Sequence, residues 1–193
     1  MSLLDRTPMP SPTLSRRVLG LVCVGLLALS TAGCFRPMYA ETTGDGTALP
    51  EKLGEVEVVF SPGRLGNEVR NDLIFNLTGG AGNPGGAPYQ LVLQVTDSTQ
   101  AAVVDTYTGL PEVELVSVDV NWQLIDTTKP VKAGQKPTPV TQGTAFGKAS
   151  IDSGYQRFAR SRAIRDAQNR ASTVAAEMIR GQLASYFITT PKS

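Results

Sequence analysis

Few side chains in this chain are equipped for chemistry. Its 193 residues contain no histidine and two cysteines. Cys23 lies inside the apolar run Val18–Leu29, and Cys34 directly follows the small residues Ser30-Thr31-Ala32-Gly33. Without histidine or a second usable thiol, the ordinary zinc, copper and haem sites have no ligands, so no metal and no cofactor is expected. The carboxylates are spread along the chain, and nothing pairs them for acid–base work. A non-enzymatic protein is expected. Two groups remain with a chemical use. The Cys34 thiol is a nucleophile that can carry an acyl group. Lys129, Lys132 and Lys136 crowd the polar stretch Asp126–Thr138 (DTTKPVKAGQKPT). They are either a solvated turn or point charges for the phosphate of an anionic head group.

The residues before Cys34 explain its use. Ser15-Arg16-Arg17 opens the stretch, a twelve-residue apolar run follows, and small residues close it. This is the layout of a secretory signal, and the run is well short of the ~20 residues a membrane-spanning helix needs. A cysteine after the small residues resembles the lipobox of bacterial lipoproteins. That resemblance implies a diacylglycerol on the Cys34 sulfur and cleavage after Gly33. Two other readings of the leader are an ordinary cleaved signal with an incidental cysteine and a twin-arginine address.

Removing residues 1–33 takes away three arginines and one aspartate, turning a net charge of +1 into −1. Phosphate-backbone binding needs a basic surplus, so nucleic acid is not an expected partner. Cys34 would be the one thiol left, and no intrachain disulfide is expected. Residues 34–193 suffice for one domain with a real core.

Residues 34–54 read as a lipidated N-terminus and a tether, polar and broken by glycine and proline from Ala40 to Gly54. About 15 residues reach at most roughly 50 Å, so the domain would work close to its membrane. The domain is expected over 55–190. Glu55–Phe60 (EVEVVF) reads as a strand. Ser61-Pro62 signals a helix start, with Ser as N-cap and Pro at the first helical position. Leu65, Val69, Leu73 and Leu77 recur every four residues on that helix, and Thr78-Gly79-Gly80 stops it. The glycine-rich Gly79–Pro88 lacks the GK[ST] of a phosphate-binding loop and follows a helix, so it reads as a connector.

Alternation then marks three strands. In Tyr89–Val104, Tyr89, Leu91, Leu93 and Val95 share a face. In Glu112–Ile125, Val116, Val118, Val120, Trp122 and Leu124 point one way and Ser117, Asp119, Asn121 and Gln123 the other. Pro139–Ile151 is interrupted by glycine, as a bulged or edge strand would be. Ser153 and Gln156 form a capping box for a long final helix. Its apolar arc gathers Ala163, Ile164, Ala167, Ala171, Val174, Ala175, Met178 and Ile179. Arg157 and Arg160 fall near that arc. Either the helix starts a turn later or these arginines make specific contacts.

The order β-α-β-β-β-α predicts an α+β two-layer sandwich, with a four-stranded, mostly antiparallel sheet carrying both helices on one face. The other face stays open.

Four segments, in order, are similar to the lipopolysaccharide-assembly lipoprotein (LptE) family. Cys34-Phe35-Arg36-Pro37-Met38-Tyr39 resembles its mature start. Arg64 to Leu73 (RLGNEVRNDL) resembles its first helix, and Asn121-Trp122-Gln123-Leu124-Ile125-Asp126 its third strand. Phe158-Ala159, Ala163, Asp166-Ala167 and Arg170-Ala171 follow its final helix. The resemblance implies a protein lipid-anchored on the periplasmic side of the outer membrane. It would plug and help assemble the β-barrel that inserts lipopolysaccharide, and contact lipopolysaccharide itself. The residues alone also allow a lipoprotein adaptor of another periplasmic lipid-transport system, or an exported hydrolase.

Overall fold

A computed structural model describes residues 42–130, 136–152 and 157–190. The elements in chain order are α1 (Leu49–Gly54), β1 (Val56–Val58), α2 (Gly63–Thr78), β2 (Tyr89–Val104), β3 (Pro111–Asp126), β4 (Pro139–Asp152) and α3 (Arg157–Thr189). The strands form one sheet in the order β1-β2-β3-β4. β1 runs parallel to β2 from Val56↔Tyr89 to Val58↔Leu91, and the other two pairings are antiparallel. The expected α+β sandwich is what forms, with one additional helix.

That helix corrects the extent of the tether. Leu49–Gly54 is helical, and Leu49 and Leu53 are buried in the core. Pro50 sits in its first turn, where a missing N–H costs nothing. Upstream, the Thr47 N–H and the Thr43 hydroxyl donate to the Asp45 carboxylate, and Gly44 N–H donates to Phe187 O at 3.2 Å. A β-carbon on Gly44 would meet Thr190 O at 2.9 Å, so this turn lies flat against the end of α3.

Alternation places the core. Leu91, Leu93, Val116, Val118, Val120, Trp122 and Leu124 are buried on one sheet face, together with Val69, Leu73 and Leu77 of α2. The start of α2 differs from the Ser61–Pro62 expectation. Pro62 is the cap, extended at φ −70° and ψ 153°, and no side chain caps the helix. Ser61 is buried instead, with its hydroxyl against Gly66. At the other end Gly79 takes a left-handed φ of 63° and returns its N–H to Phe75 O.

α3 is described from Arg157; the proposed capping box, Ser153 and Gln156, lies outside the described residues. Ala167, Ala171, Ala175 and Ile179 are buried as expected, whereas Val174 is 47 % exposed. Ser172, Ala176, Leu183, Ala184, Phe187 and Ile188 join the buried set. The arc is wider because α3 packs on two partners, the sheet and α2. A polar seam ties the helices together: Thr173 Oγ1 donates to Asp72 Oδ2 at 3.1 Å, and Arg64 donates to Gln168 and to Asn169.

The glycines of β4 serve this packing. β4 is an edge strand, and Gly147 and Gly143 face Ala171 and Trp122 where a side chain would collide. α3 also blunts the open edge, because Gln182 donates to Thr144 O at 2.9 Å and Arg170 to Ser150 O at 3.3 Å. An exposed strand edge is otherwise a template for unwanted pairing.

Candidate functional site

Strands β2 and β3 are 16 residues each, about 50 Å end to end. This length separates two unlike ends. At one lie the first residues of α1 and its preceding turn, the β3–β4 connection, Tyr89 and the C-terminal end of α3. Tyr89 packs edge-on to Phe187 with ring centroids 5.3 Å apart, and the Lys52 ammonium lies 5.4 Å from the Tyr89 centroid. At the other end is the β2–β3 turn.

Cys34 and Lys132 lie outside the described residues. Lys129 and Lys136 are exposed, at the end of the sheet where the described chain begins. Lys129 pairs with Asp126 at 3.5 Å, its own side chain 70 % exposed. The Thr128 hydroxyl, first of several donors, holds the Asp126 carboxyl below its usual range. Lys52 is committed elsewhere. Its ammonium donates to Glu55 at 2.8 Å, which raises its pKa, and lies 3.7 Å from Asp45. Lys129 is therefore an accessible cation, while its partner carboxylate is only 14 % exposed. The exposed ammonium can still meet another anion from the solvent side.

The opposite end carries a different surface. Val103, Val104, Tyr107 and Leu110 are each about half exposed or more, Tyr107 almost wholly so. Asp105 shapes their turn by accepting the N–H groups of Tyr107 at 2.7 Å and Thr108 at 3.3 Å, which lowers its pKa. Gly109, at φ 67°, closes it. Close by, Arg160 of α3 grips Glu114 of β3 with two charge-assisted hydrogen bonds, 2.6 and 2.8 Å long. Of the two sequence alternatives for these arginines, the specific contact is what Arg160 makes, and the start of the helix lies outside the described residues. Glu114 is buried on the core face in line with Val116 and Val118, a position periodicity assigns to an apolar residue. An acid at an apolar register position was the one signal that could have revealed the pair.

The open sheet face forms a third surface. Across β2, β3 and β4 it presents Val92–Gln123–Gln142, then Gln94–Asn121–Thr144, then Thr96–Asp119–Phe146. The first two rows line a hollow of about 500 Å³ whose floor is the backbone around Trp122 and Gly143. Trp122 itself points to the core and donates through Nε1 to Gln182 Oε1 at 2.7 Å. Among the described residues no group of three His, Cys, Asp or Glu side chains is placed to hold a metal ion. No described helix is long and apolar enough to cross a membrane.

No protein-family model matches the chain, and no curated protein matches it. Solved structures do. A crystallised candidate lipoprotein from Caulobacter crescentus CB15 is 25% identical, with a TM-score of 0.58 over 74% of this chain and 97% of that one. A minor lipoprotein from Acinetobacter baumannii shares the fold at 17% identity and a TM-score of 0.50, over 72% of this chain and 92% of that one. The two-layer sandwich with a four-stranded sheet is thus a fold already seen in bacterial lipoproteins.

Proposed function

We propose that this protein is an envelope lipoprotein, anchored through Cys34 on the periplasmic side of the outer membrane. There it plugs and helps assemble the β-barrel that inserts lipopolysaccharide, and it contacts lipopolysaccharide during that passage. The observation that carries the lipoprotein part is the fold shared with the Caulobacter candidate lipoprotein over nearly all of that chain. A lipobox-like stretch placed directly before the same domain supports it. The barrel and lipopolysaccharide rest on the four ordered family-like segments. Two of these segments sit where the fold gives them work: Arg64 in the seam between α2 and α3, and Ala167 and Ala171 in the core.

The geometry fits this role. With Cys34 only eight residues from the first described residue, the chain between them spans at most about 30 Å. The lysine-bearing end is the end at which the described chain begins, so Lys129 and Lys136 would face the phosphates of the anchoring leaflet or of passing lipopolysaccharide. Depletion in cells tests the reading. Lipopolysaccharide should disappear from the cell surface and the barrel should accumulate misassembled; normal surface lipopolysaccharide after depletion would contradict it.

A further inference from the structure

The open sheet face carries more than a solvated antiparallel sheet requires. Gln94, Asn121, Gln123 and Gln142 are all exposed, on three adjacent strands around the hollow of about 500 Å³. Their four side-chain amides hydrogen-bond to no other group among the described residues. Each amide offers two donors and an acceptor with two lone pairs. With neighbouring strands about 4.8 Å apart and rows about 7 Å apart, the four amides and the Thr144 hydroxyl cover roughly 10 by 7 Å. The hollow falls within the range of about 300–1,000 Å³ typical of small-molecule sites. One row further on, Phe146 is 50 % exposed beside Asp119, with the Lys148 ammonium 5.6 Å from its ring centroid.

We propose that this amide-lined hollow binds a neutral saccharide, the sugar portion of lipopolysaccharide. Uncharged donors and acceptors in a fixed array match the hydroxyls of a sugar, and the exposed ring of Phe146 offers a flat apolar surface to a sugar's C–H face. No cation lines the hollow, so a phosphate has nothing to pair with there. A lipid chain would find Val92 alone as an apolar lining side chain. A polypeptide strand pairs through a sheet edge, and this site is a face. Protein interfaces are built round buried aromatic and apolar anchors, which the hollow lacks. The choice of saccharide rests on the lipopolysaccharide reading above; the preference for an uncharged, hydroxyl-rich ligand does not.

The test uses the protein purified from membranes in mild detergent and reads binding by isothermal titration calorimetry, because the Trp122 indole points to the core and not into the hollow. The probe is the water-soluble saccharide released from lipopolysaccharide by mild acid and then dephosphorylated. Saturable binding is expected. Asn121→Ala with Gln123→Ala should weaken it by about tenfold or more, because both amides' hydrogen bonds to the ligand are lost. Glu177→Ala, an exposed position on α3, should leave it unchanged. Both substituted amides are exposed and make no internal bonds, so circular dichroism should show an intact fold. No binding, binding indifferent to the double variant, equal binding of an unrelated neutral glucan, or preference for lipid A or a peptide would each overturn the proposal. Normal surface lipopolysaccharide on depletion, by contrast, contradicts the transport role whatever the saccharide result.

Discussion

Gly147 of β4 lies directly beneath the carbonyl of Ala171 in α3: a β-carbon on Gly147 would stand 1.9 Å from that oxygen. The clash is with backbone, so no rotamer change relieves it. The long helix can lie this close to the sheet because small residues meet at the contact, and Ala167, Ala171 and Ala175 are fully buried there. Gly147→Ala should therefore push α3 off the sheet and cost about 3 kcal/mol or more, at the upper end of overpacking costs. Urea unfolding followed by circular dichroism would read this as a lowered midpoint. An unchanged midpoint would mean that α3 sits farther from β4.

The Glu114–Arg160 pair should respond unequally to loss of its two halves. Glu114 is 6 % exposed and Arg160 43 %. Arg160→Ala strips two charge-assisted hydrogen bonds from a buried carboxylate and should cost about 2–3 kcal/mol. Glu114→Ala leaves an arginine that water can solvate and should cost less. In the double variant part of the Arg160→Ala loss should return, because no buried charge is left behind. Equal single losses that simply add would contradict the pairing.

Asp45 gives a pH prediction. The Thr43 hydroxyl and the Thr47 N–H hold its pKa at about 2, against 3.8 ordinarily. A carboxyl whose pKa is depressed by folding stabilises the fold above its unfolded pKa. That contribution fades as pH falls through about 4 and is gone below about 2. Wild-type protein should thus lose stability over this window, and Asp45→Asn should lose less over the same window. Urea midpoints measured from pH 5 to pH 2 on both proteins check this; parallel curves would count against it.

Cys34→Ala tests the anchor. Several acyl chains hold a protein firmly at ~0.8 kcal/mol per buried CH₂. The variant should move from the membrane to the soluble fraction in cells lacking the barrel. Continued membrane retention there would argue against lipidation.

Much of this architecture is legible in the residues, because alternation and four-residue spacing are direct prints of burial. Val116 to Leu124 and Val69 to Leu77 lie where their patterns put them. The pattern fails where a local signal is outvoted by a tertiary contact. Leu49–Gly54 is too short for a period to show, and its proline and glycine read as breakers, yet Leu49 and Leu53 bury themselves. The glycines of β4 read as interruptions of a weak strand, when Gly143 and Gly147 are what let Trp122 and α3 approach. Val174 belongs to the apolar arc by angle and is exposed, since a 33-residue helix with two partners does not keep one face inward. For the site, the lysine spacing identified a charged turn, and the structure locates Lys129 and Lys136 on it. The amide hollow depends on the register of three strands, which alternation within any one of them does not reveal.

We propose that this lipoprotein works inside a lipopolysaccharide-inserting barrel. The most direct test is to purify the protein from membranes in mild detergent and identify by mass spectrometry what accompanies it. A large outer-membrane β-barrel in near-equal amount is the predicted result. An inner-membrane transporter in its place, with no barrel present, would contradict the account.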